Sequence, residues 1–265
     1  MLLYREISCP DDYAKIQSDI NTLSTWVDKN NLTLNGSKCK YMIISRLKCN
    51  SVAAPILTLH NKAIEKVSSY KYLGVIITND LLWSAHIERI RSKANKIIGL
   101  IYRQFYSWSS QQTLLRLYTS LVRPHLEYAT QVWNPYLMKD IQKLENVQKF
   151  ALKVCCKRWD LTYAEALEQT ALPDLKARRT HLNLCYFYKL INGVFEFPNS
   201  PLTTRQLNYP TRSGRTNLYY QPYAHSNSFL HSFFPQTISL WNSLPFSIAS
   251  APTFNCYKRL LLSYV

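Results

Sequence analysis

Glycine is scarce in this chain, with five residues in 265, and no two of them form a loop that could cradle a phosphate. Their absence excludes a P-loop NTPase and a dinucleotide-binding βαβ unit, and no small-molecule cofactor is expected. Seven cysteines are present, yet no Cys-x-x-Cys pair occurs. The odd count and the adjacent Cys155 and Cys156 suit neither a zinc ribbon nor an ordinary disulfide framework. Reduced thiols and an intracellular location, cytoplasm or nucleus, are the expectation. No apolar run reaches the ~18 residues of a membrane span, so no membrane partner is expected. The apolar start Met1-Leu2-Leu3-Tyr4 is too short for a targeting segment. His60, His86, His125, His181, His225 and His231 are scattered, and none is read as a metal ligand. Repeats and low-complexity tracts are also missing.

Acids are few: 16 Asp and Glu face 32 Lys and Arg, a formal net charge of +16. That balance favours a polyanionic partner, nucleic acid before anionic membrane, although a merely solvated basic face gives the same count. The excess is uneven. Thirteen basic residues and five acids lie between Leu81 and Asp160, and nine basic residues and one acid, Glu196, lie from Lys176 onward. Hydrophobic residues make up 47%, enough for the core of one large domain or two small ones.

Tyr13, Ile16, Ile20, Leu23 and Val27 recur at helical steps and predict an amphipathic helix over 11–30. Asp11-Asp12 reads as capping chemistry at its first turn rather than as a metal pair. Short strands are expected at 32–34 and 40–45, in a hairpin around Asn61-Lys62, and at 70–77, the most apolar and most buried of them. After Asn79-Asp80 the period turns helical. Ile87, Ile90, Ala94, Ile97, Ile101 and Phe105 mark one face of a long helix. A second helix runs over 111–122 and is closed by Arg123-Pro124. Leu137, Ile141, Leu144, Val147, Ala151 and Val154 mark a third, with Cys155-Cys156 at its C-terminus, and a fourth covers 175–190. From Gly193 onward loops dominate, with short helices near 237–244 and 255–262. The class is α+β.

Four stretches carry a family resemblance. Trp26-Val27-Asp28-Lys29-Asn30-Asn31-Leu32-Thr33-Leu34-Asn35 is followed by Ser37-Lys38-Cys39-Lys40. Tyr70-Lys71-Tyr72-Leu73-Gly74-Val75 is followed by Leu82-Trp83 and His86-Ile87. Leu117 to Ala129 precedes Val132-Trp133-Asn134-Pro135. Ser232-Phe233-Phe234-Pro235-Gln236-Thr237-Ile238 precedes Leu240-Trp241-Asn242-Ser243-Leu244-Pro245. In order and spacing they resemble the C-terminal part of reverse transcriptases from non-LTR (LINE-like) retrotransposons of the CR1/L2/jockey type.

The resemblance implies three parts: the C-terminal part of the palm (a helix plus a small antiparallel sheet) over 1–79, a mostly helical thumb over 80–172, and an irregular basic C-terminal extension over 173–265. It implies that Lys38 or Lys40 neutralises the leaving pyrophosphate; both also read as solvated turn lysines. Tyr72, Leu73 and Gly74 would form a primer grip, where glycine lets main chain approach phosphate. Arg89, Arg91, Lys93, Lys96 and Arg103 would hold the backbone of a template–primer duplex, or simply form a wet helix face. Trp83, Trp108, Trp133 and Trp241 read mostly as packing, with base stacking as the other option. The implied partners are an RNA template and a DNA primer, and Mg²⁺ is implied for the intact parent enzyme.

The family's Phe/Tyr-Ala-Asp-Asp box is absent from the 265 residues. Met1-Leu2-Leu3-Tyr4 resembles the sequence that follows such a box. No catalytic residue is expected, no metal site, and no activity of the chain alone. A non-catalytic nucleic-acid-binding remnant and a decayed transposon copy are the alternatives.

Overall fold

The computed structural model describes residues 2–45, 56–195, 197, 201–209, 211 and 214–264. Cys49 and Glu196 lie outside them. The chain divides into two units, Met1–Leu82 and Trp83–Val265.

The first unit begins with α1, Asp11–Lys29. Asp12 anchors its start, accepting from the Ser8 and Cys9 amides at 2.9 and 3.0 Å and from Lys15 at 2.7 Å. The Lys15 bond and the two amides of the segment leading into the helix hold the Asp12 carboxyl well below the usual carboxylate range. The buried face of α1 carries Ile20, which packs on Leu57 and Leu59 with Ile16, Leu34, Tyr41 and Ile64 around them. The Gln17 side-chain amide completes the join by bonding both N–H and C=O of Thr58 at 2.9 Å. It thereby does the work of a neighbouring strand.

The strands are short. β1 (Lys40–Tyr41) pairs in parallel with β4 (Glu65–Lys66). β2 (Thr58–Leu59) and β3 (Lys62–Ala63) form a hairpin whose turn is His60-Asn61, one residue earlier than expected, with φ of 49° and 60°. No strand forms over 32–34; Gly36–Lys38 is a 3₁₀ turn instead. The expected buried strand at 70–77 is two strands. β5 (Ser69–Tyr72) turns at Leu73-Gly74 into β6 (Val75–Thr78). Both turn residues have positive φ, 45° and 89°, so the apolar run folds back on itself and only Val75 is buried.

The second unit is mostly helical. α2 (Ser84–Phe105) buries Ile87, Ile90, Ala94, Ile98 and Ile101, so Ile98 takes the core position expected of Ile97. α3 (Gln111–Leu117) does not stop at Arg123-Pro124. It passes through a π turn, Tyr118–Val122, directly into α4 (Arg123–Glu127). Proline lacks the N–H that an α-helix would use here, and the wider turn accommodates that loss. After α5 (Thr130–Trp133), α6 (Met138–Cys156) buries Ile141, Leu144, Val147, Ala151 and Val154, the predicted face, and ends on left-handed Lys157 with Cys155-Cys156 in its last turn. α7 (Tyr163–Thr170) starts in a Thr162/Glu165 capping box, a signal present in the sequence and overlooked in its reading. α8 (Leu175–Ile191) follows.

Beyond α8 lie a hairpin of β7 (Thr204–Gln206) and β8 (Asn217–Tyr219), which the sequence did not suggest, then α9 (Asn227–Leu230), α10 (Phe233–Ser243), α11 (Phe246–Ala249) and α12 (Phe254–Leu262). Phe187 and Tyr188 of α8, Trp241 of α10 and Tyr257 of α12 form the aromatic centre of this layer. Arg215 covers the Trp241 ring at 5.5 Å and donates to the Trp241 carbonyl. The fold is α+β.

A buried polar node joins the helices. Glu145 of α6 accepts from the Tyr163 hydroxyl at 2.6 Å and the Leu175 amide at 3.1 Å, and lies 3.7 Å from the Arg179 guanidinium. Gln148 adds Tyr118 at 2.6 Å and the Pro173 carbonyl at 2.9 Å. Burial and the bonded Glu145 carboxylate raise the Tyr163 phenol above its ordinary pKa. Removing one member of such a buried pair strands the other charge. Glu145→Ala and Arg179→Ala are therefore each expected to cost about 3–5 kcal/mol in urea unfolding, and the Glu145→Leu/Arg179→Met double variant to cost less than either.

Candidate nucleic-acid interface

The expected contact residues fall into both units. In the first, Lys38 closes the 3₁₀ turn with its side chain exposed, and its carbonyl accepts from the Tyr70 hydroxyl at 3.0 Å. Lys40 of β1 is ion-paired to Glu65, its partner across the strand, at 2.5 Å. The Tyr70 bond brings the Lys38 turn beside the β5–β6 hairpin. At the tip of that hairpin Tyr72 is half-buried, while Leu73 is 74% exposed. A leucine with positive φ costs about 1–2 kcal/mol, and here no burial offsets it.

In the second unit, Arg89, Lys93, Lys96 and Arg103 recur on α2 at steps of four, three and seven residues. They form one exposed stripe opposite the buried isoleucines. Among the described residues none of the four is ion-paired. Arg91 belongs elsewhere: it sits on the flank toward α6 and pairs with Glu88 at 2.7 Å, which lowers the Glu88 pKa. Burial, with Arg89 adding to it, holds His86 down at about 4, and burial together with Lys93 lowers His125. The positive field of α2 therefore acts on its neighbours as well as on solvent.

Trp133 and Trp241 are buried and Trp83 is half-buried, whereas Trp108 is exposed. Trp133 donates to the Tyr128 carbonyl at 2.6 Å, and its ring meets His86 edge-on at 5.1 Å. Asn134 beside it accepts from Arg179 and donates to Gln236. Asn242 clasps both N–H and C=O of Tyr219 at 3.0 and 2.8 Å. Two of the resembling stretches are thus packing and clamping elements. An exposed tryptophan that sequence reasoning did not weigh for stacking is Trp159.

Among the described residues, no group of three His, Cys, Asp or Glu side chains is placed to hold a metal ion, so the donor set does not fit one. Nor is any described helix long and apolar enough to cross a membrane. Cys9, Cys39, Cys155, Cys156, Cys185 and Cys256 are free thiols, and burial pushes Cys155 up to about 12.

No protein-family model and no solved structure matches the chain. Curated proteins do. The chain is 25% identical over 150 residues to the RNA-directed DNA polymerase from mobile element jockey of Drosophila funebris, which covers 54% of this chain and 16% of that protein. It is 24% identical over 142 residues to the Drosophila melanogaster jockey polymerase, covering 52% and 15%. It is 25% identical over 143 residues to the probable RNA-directed DNA polymerase from transposon X-element of Drosophila melanogaster, covering 53% and 15%. About half of this chain is related to the reverse transcriptases of non-LTR retrotransposons. The matched region spans about one-sixth of those relatives' own length.

Two outcomes follow from these local features. Leu73→Asn places a residue suited to the left-handed turn, and should slow amide exchange across the Tyr70–Ile77 pair, stabilising the hairpin by about 1 kcal/mol. His86 and His181 are both held at about 4, chiefly by burial, and return to the ordinary 6.5 on unfolding. The unfolded chain then binds more protons between those values, so stability rises with pH across that window. Urea titrations should show a loss of about 1–2 kcal/mol per ring between pH 7 and pH 5, and His86→Gln should remove about half of that slope.

Proposed function

We propose that this chain is a piece of a non-LTR reverse transcriptase that grips nucleic acid and does no chemistry by itself. In this reading the first unit is the end of the palm and α2 to α7 are the thumb. The parent enzyme would extend a DNA primer on an RNA template, with Mg²⁺ held by carboxylates that these 265 residues do not include. A non-catalytic binding remnant, the second reading, makes the same contacts.

The observation that carries the proposal is the stripe of Arg89, Lys93, Lys96 and Arg103, exposed on one face of a helix that is well anchored on the other. Phosphates spaced along a duplex suit such a row, and each neutralised phosphate releases a counterion. Leu73, exposed in a strained turn beside Gly74, supports a contact role for the hairpin tip, because such strain persists where a function uses it. The bond from the Tyr70 hydroxyl to the Lys38 carbonyl ties the lysine turn to that hairpin.

The test is a binding titration of a primed RNA–DNA duplex against salt, alongside an extension assay. The chain should bind the duplex with steep salt dependence and extend no primer with Mg²⁺ or Mn²⁺. Changing all four stripe cations to Gln should flatten the log–log salt slope by about 3–4. An unchanged slope removes the stripe from the interface, and clear primer extension overturns the claim that the chain is inactive.

A further inference from the structure

A groove between α2 and α6 is lined by Arg91, Asn95, Lys143, Asn146, Val147 and Phe150. It lies on a different flank of α2 from the four-cation stripe. At Phe150 the lining changes from polar to aromatic. The Phe150 ring lies 6.0 Å from Trp159, Trp159 lies 6.2 Å from Tyr102, and Tyr102 lies 4.6 Å from Tyr106. Phe150, Trp159 and Tyr102 are 43%, 47% and 41% exposed. Groove and rings together run about 22 Å alongside α2 and its C-cap, from Arg91 to Tyr106.

The platform is held in place. Lys157 adopts the left-handed conformation that ends α6, lies 5.6 Å from the Tyr106 ring centre and donates to the Ser107 carbonyl at 3.5 Å. Lys153 donates to the Trp159 carbonyl at 2.7 Å and fixes the loop that presents the indole. Pre-organised rings lose little entropy on binding.

Five cations border the groove against three carboxylates, so its net charge is positive, and Lys153 and Lys157 are the two that make no ion pair among the described residues. Arg91, Lys143, Lys153, Lys157 and Arg158 border it. The nearby carboxylates are already engaged: Glu88 by Arg91, Asp140 by Ser84 and Lys143, Asp160 by Arg158. A row of exposed rings flanked by cations and side-chain amides matches a ligand that alternates flat bases with phosphates. A second copy of the chain, itself carrying +16, is repelled from such a surface.

We propose that this groove binds a single-stranded nucleic acid, with unpaired bases stacked on Trp159, Phe150 and Tyr102 and phosphates near Arg91, Lys143 and Lys157. The inference rests on the nucleic-acid reading above and adds a second site to it, separate from the duplex-binding stripe.

The experiment uses the whole 265-residue chain and four probes: an oligothymidylate of about twelve nucleotides, the same strand made abasic, a blunt RNA–DNA duplex, and phosphatidylserine vesicles. Trp159→Ala and Phe150→Ala remove exposed rings, and circular dichroism confirms that each variant keeps its helices. Each should weaken oligothymidylate binding about tenfold while duplex affinity stays within about twofold. Wild type should prefer oligothymidylate to the abasic strand, and Trp159→Ala should lose that preference. The four-Gln stripe variant should show the opposite pattern, losing duplex and keeping oligothymidylate. Wild-type affinity of both ring variants for oligothymidylate, or equal loss for strand and duplex, overturns the groove and leaves the stripe standing. Base-independent binding, with vesicles captured through the same rings, also overturns it in favour of a lipid surface. Absence of all nucleic-acid binding at low salt overturns both sites together.

Discussion

The second unit depends on a carboxylate buried among helices. Glu145 faces inward from α6 and is met by a phenol from α7 and by an amide and a guanidinium from α8. None of these groups can be buried alone without a desolvation cost that one contact cannot offset. Together they define where α7 starts, where α8 starts and how both lie on α6. Arg179 extends the node to Asn134, and Asn134 extends it to Gln236 of α10. The apolar contacts supply most of the favourable energy, but they are tolerant of sliding. Directional bonds at the node are not, and they set the register of the bundle.

The related sequence takes on a physical meaning in that light. Trp133-Asn134 and Trp241-Asn242 are not contact residues. One tryptophan fills the bundle core and the other the aromatic layer, and each asparagine ties backbone or side chains of distant segments. These two resembling stretches thus hold the helices together. The surface cations that carry the binding proposal take no part in that packing. Their case rests on the geometry of α2.

Helices α1, α2 and α6 were legible because a long apolar stripe at helical spacing is difficult to mistake. The 70–77 segment was not, since a hairpin of two apolar strands and one apolar strand differ only in the turn. Leu73-Gly74 is a poor advertisement for a type I′ turn, which prefers Asn-Gly. The continuation of α3 through Pro124 was hidden for a similar reason: proline usually stops a helix, and only the π turn lets it pass. The cations of α2 were visible as a group, whereas their division into a stripe and a groove flank follows from the helical phase of Arg91. Trp159 gave no periodic signal at all. Its exposure is decided by a left-handed residue two positions earlier, and no local pattern announces that.

The π turn at Tyr118–Val122 also speaks to how this helical pair can change over time. A π turn holds one more residue than the α turn it replaces, and here Leu114 before it, Tyr118 and Val122 at its two ends and Leu126 after it all reach the core. The Thr119 and Ser120 hydroxyls bond carbonyls one turn back, which occupies acceptors that the widened turn loosens. A single-residue insertion or deletion can therefore be taken up inside this turn, with both flanking helices left in contact with the same neighbours. The segment is a place where a lineage can alter length without altering fold.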